Sequence, residues 1–101
     1  MKCTALDFAE GFRVAFGNPR AQGAVMTIAP GEREGDAQNR HAKADQWLYV
    51  VEGSGTAVVE GQPQALMPGV LLLIEKGERH EVRNDGERPL KTLNLYIPPE
   101  Y

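Results

Sequence analysis

His41 and His80 are the two histidines of the chain. Neutral imidazole is the commonest metal ligand because one ring nitrogen offers a lone pair. Each of the two stands at the mouth of a strand-like segment, directly after a Gly-rich or charge-rich stretch. In a β-barrel, strands distant in sequence become neighbours across the lumen, so the two rings are candidates for one shared site. The alternative is that they line a pocket without metal. Arg40, Lys43 and Arg79 flank them, placed either to draw a carboxylate or phosphate to a rim or to form a solvated surface. Other chemistries lack their residues: there is no Ser-His-Asp, P-loop, Cys-x-x-Cys or His-Glu-x-x-His pattern. The lone Cys3 cannot form an internal disulfide, which fits a reducing cytoplasmic setting.

The elements that must position these residues read as strands. Turn signals recur at short intervals, among them Gly17-Asn18-Pro19, Glu52-Gly53-Ser54-Gly55, Glu60-Gly61, Lys76-Gly77 and Asn84-Asp85-Gly86. Such punctuation marks an all-β sandwich or barrel. Between the turns lie eight candidate strands: Phe12–Phe16, Ala24–Ile28, Gln46–Val51, Thr56–Glu60, Gln64–Met67, Val70–Ile74, His80–Arg83 and Leu90–Ile97. Phe12, Val14 and Phe16 are expected on one face. Gln46–Val51 and Thr56–Glu60, joined through Gly-Ser-Gly, read as a hairpin. The continuously apolar Val70–Ile74 reads as a strand buried on both sides. Leu6–Glu10 could make a weak helical turn, and Pro30–Asp45 reads as a long polar loop with no apolar period. On Leu90–Ile97, Asn94 and Tyr96 look into a pocket if the Leu face packs elsewhere.

Composition bounds the function. A chain of 101 residues forms one domain, 1–101, with a 42% apolar and 25% charged share typical of a folded domain. The net charge of −3, with 11 basic residues dispersed among 14 acidic ones, disfavours nucleic acid as a partner. No apolar run exceeds Val70–Ile74, too short for a membrane span, and no secretory signal is visible, so a cytoplasmic location and no membrane partner are expected.

The segment Gly69–Asn84 resembles the second motif of the cupin family: Gly, five residues, Pro, one residue, Gly, two residues, His, three residues, Asn. Each place is filled except that Glu75 stands for the Pro. The segment from Gly35 to Gly53 resembles the first motif in degraded form, His, one residue, His, three or four residues, Glu, six residues, Gly. Anchored on Gly53, the Glu place is Gln46, the second His place is His41 and the first is Asn39. Anchored on Gly35, His41 takes the first His place and Lys43 and Trp47 fill the others. The Gly53 anchor is preferred, because strand alternation from Gln46 is rigid whereas the preceding stretch can change length.

The resemblance, over about residues 22–98, implies a small double-stranded β-helix, a jelly-roll cupin barrel with the ligand pocket inside. It implies a site of His41, Gln46, His80 and Asn39, a neutral version of a three-His-one-carboxylate set able to hold Zn, Mn, Fe or Ni. In the Gly53 frame Leu48 shares the pocket face with Gln46. His80, in the better-matched motif, is expected to matter more than His41. Three functions compete: a metal-dependent oxygenase or isomerase, a metal-free small-molecule binding or sensing module, and a structural domain. A small-molecule ligand is the expected partner. Trp47, Tyr49 and the Phe12–Phe16 segment exceed what one small barrel easily buries, so a homodimer is expected.

Overall fold

The computed structural model describes residues 1–35 and 43–101. Its regular elements are nine strands: β1 Gly11–Gly17, β2 Gln22–Ile28, β3 Arg33–Gly35, β4 Asp45–Glu52, β5 Gly55–Val59, β6 Gln62–Leu66, β7 Leu71–Ile74, β8 His80–Arg83 and β9 Leu90–Ile97. They form a five-stranded sheet in the order β1-β2-β9-β4-β7 and a four-stranded sheet in the order β3-β8-β5-β6, with antiparallel pairing throughout. Met26, Ile28, Leu48, Val50 and Leu90 from the first sheet meet Ala57, Leu66 and Val82 from the second in one buried cluster. This is the all-β double-stranded β-helix that the motifs imply. Among the described residues no helix is present, so none is long and apolar enough to cross a membrane.

Several local expectations are overturned. Leu6–Glu10 is not helical; Asp7 Oδ1 accepts the Ala9 N–H at 3.0 Å, and its other oxygen pairs with Arg13 at 2.9 Å. The stretch read as one loop contains β3, which pairs Arg33 with Arg83, Glu34 with Val82 and Gly35 with Glu81. A three-residue charged edge strand shows no apolar period. It is anchored by Glu81, a buried carboxylate held between Arg33 and Arg83. Phe12 and Phe16 do not share a face, because the β1–β2 register shifts between Val14 and Phe16. A bulge of this kind reverses the alternation beyond it.

β4 and β5 are not a hairpin. β4 pairs with β9 and β7, whereas β5 pairs with β6 and β8, so Gly53-Ser54-Gly55 carries the chain from one sheet to the other. The crossing is tight. Gly53 has φ +87°, and a Cβ there would lie 2.3 Å from the Pro89 carbonyl oxygen; one on Gly55 would lie 2.2 Å from that of Arg83. The tight hairpin is β5–β6, turned at Glu60 and Gly61 with φ 48° and 77°. Positive φ at both central residues matches strand twist. Pro63 fits within β6 because β6 is an edge strand. Val70–Ile74 is not buried on both sides: β7 is an edge strand, and Leu71 and Leu73 are exposed on its outer face.

Candidate functional site

Alternation on β4 and β9 decides what faces inward. Gln46, Leu48 and Val50 are buried and Trp47, Tyr49 and Val51 exposed; Leu90, Thr92, Asn94 and Tyr96 are buried while Leu95 and Ile97 are exposed. Apolar residues fill one end of the barrel. Toward the other end the inward side chains become polar and leave a cavity of about 210 Å³. Glu34, Gln46, His80 and Tyr96 line it, with Phe12 and Tyr101 among the apolar and aromatic remainder.

The polar wall is oriented by a relay that can run in only one direction. Thr92 Oγ1 donates to the Met26 carbonyl at 2.8 Å, and a carbonyl can only accept. Thr92 therefore accepts from Asn94 Nδ2 at 3.0 Å, which turns Asn94 Oδ1 toward Gln46 Nε2, its donor at 2.9 Å. The Gln46 amide is thus fixed with Oε1 as its acceptor atom. His80 is fixed in the same way. Its Nδ1 lies 3.1 Å from the Glu78 carbonyl, so Nδ1 carries the proton and Nε2 the lone pair of the neutral ring. A histidine whose far nitrogen is held by a backbone carbonyl is the usual arrangement behind a metal ligand.

The aromatic wall joins distant parts of the chain. The Phe12 and Tyr96 rings meet edge-on with centroids 6.3 Å apart, and Tyr101 stands 4.8 Å from Phe12 and 5.1 Å from Tyr96. Burial pushes the Tyr96 hydroxyl well above the ordinary tyrosine range, helped by its hydrogen bond to Tyr101 and by the Glu100 and Glu34 carboxylates. Burial also raises Tyr101, partly opposed by the hydrogen bond from Tyr96.

The residues singled out in the sequence are placed as follows. His80, Gln46 and Tyr96 line one cavity, Asn94 supports Gln46 from behind, and Leu48 lies in the apolar cluster rather than the lining. Asn39, Arg40 and His41 lie outside the described residues. Arg79 is paired with Glu60, Nε to Oε2 at 3.1 Å, and the Lys43 N–H donates to Glu100 at 3.2 Å. Asn84, which closes the second motif, is structural: its Nδ2 donates to the Ile28 and Arg88 carbonyls and its Oδ1 accepts from Gly86. Glu34, Phe12 and Tyr101 also line the cavity, and neither motif points to them. Only Phe12 carried a signal, its place in an apolar strand.

Two fixed lone-pair donors, His80 Nε2 and Gln46 Oε1, fit part of a transition-metal site. Among the described residues no three His, Cys, Asp or Glu side chains cluster closely enough to hold a metal by themselves.

Residues 24–96 match the family model for the cupin domain. The chain is 32% identical over 73 residues to the tetracenomycin polyketide synthase protein TcmJ of Streptomyces glaucescens, covering 72% of this chain and 48% of TcmJ. It thus spans about half the length of that relative. Among solved structures it is similar to BH2720 of Bacillus halodurans, 31% identical with a TM-score of 0.83 over 91% of this chain and 73% of that one. A protein with a double-stranded β-helix domain from Klebsiella pneumoniae, 20% identical, superposes with a TM-score of 0.75 over 84% of this chain and 73% of that one.

Proposed function

The chain belongs to the cupin domain family, and we propose that it binds a divalent metal ion and a small oxygen-rich molecule together in its lumen. One observation carries the reading: the imidazole of His80 and the amide of Gln46 line the same cavity, each oriented by a hydrogen bond to a neighbouring group. Preorganised lone pairs without full negative charge suit Zn, Mn, Fe or Ni at modest affinity. His41 and Asn39 are the further members that the first motif offers. A bound ion would supply Lewis-acid polarisation of a ligand oxygen. The chain's own residues then position the ligand: Tyr96, Tyr101 and Phe12 offer an aromatic surface, and Glu34 an acceptor.

The ligand class follows from the same wall and from one relative. Aromatic rings beside an amide, an imidazole and a carboxylate suit a planar hydroxylated molecule. TcmJ is a tetracenomycin polyketide synthase protein, and for this chain we propose a ligand of polyketide type whose flat, oxygenated part meets that wall. A metal-free binding module is the second reading, favoured because among the described residues no three His, Cys, Asp or Glu side chains are grouped to hold an ion.

Metal analysis of protein purified without a His tag, followed by thermal unfolding with Zn²⁺, Mn²⁺ or Ni²⁺ and with 1,8-dihydroxynaphthalene, separates the two. Stoichiometric metal, and stabilisation by the naphthalene that needs the metal, support the first. Stabilisation by the naphthalene alone supports the second, and stabilisation by neither ends both.

A further inference from the structure

Gln46 occupies the place where the first motif carries its carboxylate, so the motif residues bring no negative charge to the lumen. The fold brings one from elsewhere. Glu34 on β3 pairs with Val82 on β8. Val82 is buried in the core cluster, so the strand face that carries it points inward. Glu34 shares that face, and it lines the same cavity as His80 and Gln46.

The register sets the separation. His80 lies two residues before Val82 on the same face of β8, which makes it the diagonal cross-strand neighbour of Glu34. Diagonal neighbours on an antiparallel pair lie roughly 7–8 Å apart, within reach of long side chains. A carboxylate and an imidazole leaning toward each other from that spacing can share one ion at bond lengths of about 2.0–2.2 Å. Gln46 approaches from β4, in the opposite sheet. The Glu34 carboxylate makes no hydrogen bond or ion pair with any described residue.

We infer that Glu34 is a metal-binding residue of the lumen, supplying from β3 the anionic oxygen that the Gln46 position lacks and forming with His80 and Gln46 a mixed nitrogen–oxygen site for a divalent transition metal. This rests on the metal reading of the lumen above. It adds a ligand that lies outside both motifs, and it explains how a motif with an amide in the carboxylate place can still hold a dication. The gain is electrostatic, because an anion next to a dication in a partly desolvated cavity interacts far more strongly than a neutral amide does.

The test is calorimetric titration of Zn²⁺ and Mn²⁺ into the wild type, Glu34→Gln and His80→Ala, with unfolding midpoints measured in EDTA and in excess metal. Glu34→Gln keeps the side-chain shape and should weaken binding at least about tenfold, with a smaller metal-dependent rise in midpoint and an unchanged midpoint in EDTA. Should Glu34→Gln not fold, Glu34→Asp is read in the same way, since a carboxylate withdrawn by one methylene must also bind more weakly. Wild-type affinity in the Glu34 variant, with loss in His80→Ala, overturns the role of Glu34 and leaves the metal reading standing. No binding by the wild type overturns both.

Discussion

Gln22 and Tyr101 are joined by a reciprocal pair of hydrogen bonds: Gln22 Nε2 donates to the Tyr101 carbonyl at 2.8 Å, and the Tyr101 N–H donates to Gln22 Oε1 at 3.0 Å. A side-chain amide here does the work of a strand partner, holding the Tyr101 ring against Phe12 and Tyr96 at the lumen wall. Gln22→Leu keeps the volume and removes both bonds. It should lower stability by about 1–2 kcal/mol. The Tyr101 amide proton should exchange markedly faster, read by hydrogen exchange. Unchanged exchange at Tyr101 would mean that the ring contacts alone hold it.

The same aromatic cluster sets an alkaline limit on stability. Tyr96 and Tyr101 both hold their protons more tightly in the fold than an unfolded tyrosine does, chiefly through burial. Unfolded tyrosine ionises near pH ~10. Below that value both states are protonated and this contribution is fully present. Above it the unfolded chain releases protons that the folded chain retains, so stability falls as pH rises. Denaturant midpoints from pH 8.5 to 11.5 should therefore decline above pH ~10. Tyr96→Phe should flatten the decline, and an equally steep decline in that variant would place its cause elsewhere.

Particular residues show how much was legible in the sequence. The bounds His80–Arg83 and Leu90–Ile97 could be read because turn residues bracket them and the second motif keeps its spacing. The inward face of β4 could not be read from pattern, since Trp47 and Tyr49 are as apolar as Leu48 and Val50. Gly53 and Gly55 announce a turn, but nothing local says that the chain changes sheets there. That is decided by the pairing of β4 with β9 and of β5 with β8, both from far along the sequence. Glu34 was hidden because a three-residue strand is too short to show alternation, and its inward face is decided by pairing with β8.

The outer face of the five-stranded sheet leads to a prediction about assembly. Trp47 pairs with Leu73 on one side and Leu95 on the other, and Tyr49 pairs with Leu71, so exposed apolar side chains form adjoining rows across β7, β4 and β9. Leu71 is 61% exposed. Burying this face against a second copy in a two-fold dimer is the expected solution. Sedimentation should give a dimer at micromolar concentration, and Leu71→Glu should give a monomer. Trp47 is the single tryptophan, so its emission should shift to the red in that variant. A monomeric wild type would rule the dimer out.

Gln46→Glu is expected to tighten metal binding while weakening the metal-free protein, and the relay gives the reason for both. The substitution adds a negative charge beside the proposed ion, and a gain of at least about tenfold, or ~1.4 kcal/mol, is expected. Shape is conserved but hydrogen bonding is not. Gln46 Nε2 is the donor to Asn94 Oδ1, and a carboxylate would set two acceptors against each other. Turning the Asn94 amide over restores that contact but aims Oδ1 at Thr92, whose hydroxyl then cannot donate to both Asn94 and the Met26 carbonyl. One buried acceptor is left unsatisfied either way, at about 1–3 kcal/mol. The unfolding midpoint in EDTA should fall, and saturating Zn²⁺, Mn²⁺ or Ni²⁺ should recover it through the stronger binding. Calorimetric titration of the three ions into both forms measures the first effect, and denaturation in EDTA the second. A lower midpoint with unchanged affinity would mean that the amide serves the relay alone and takes no part in holding an ion.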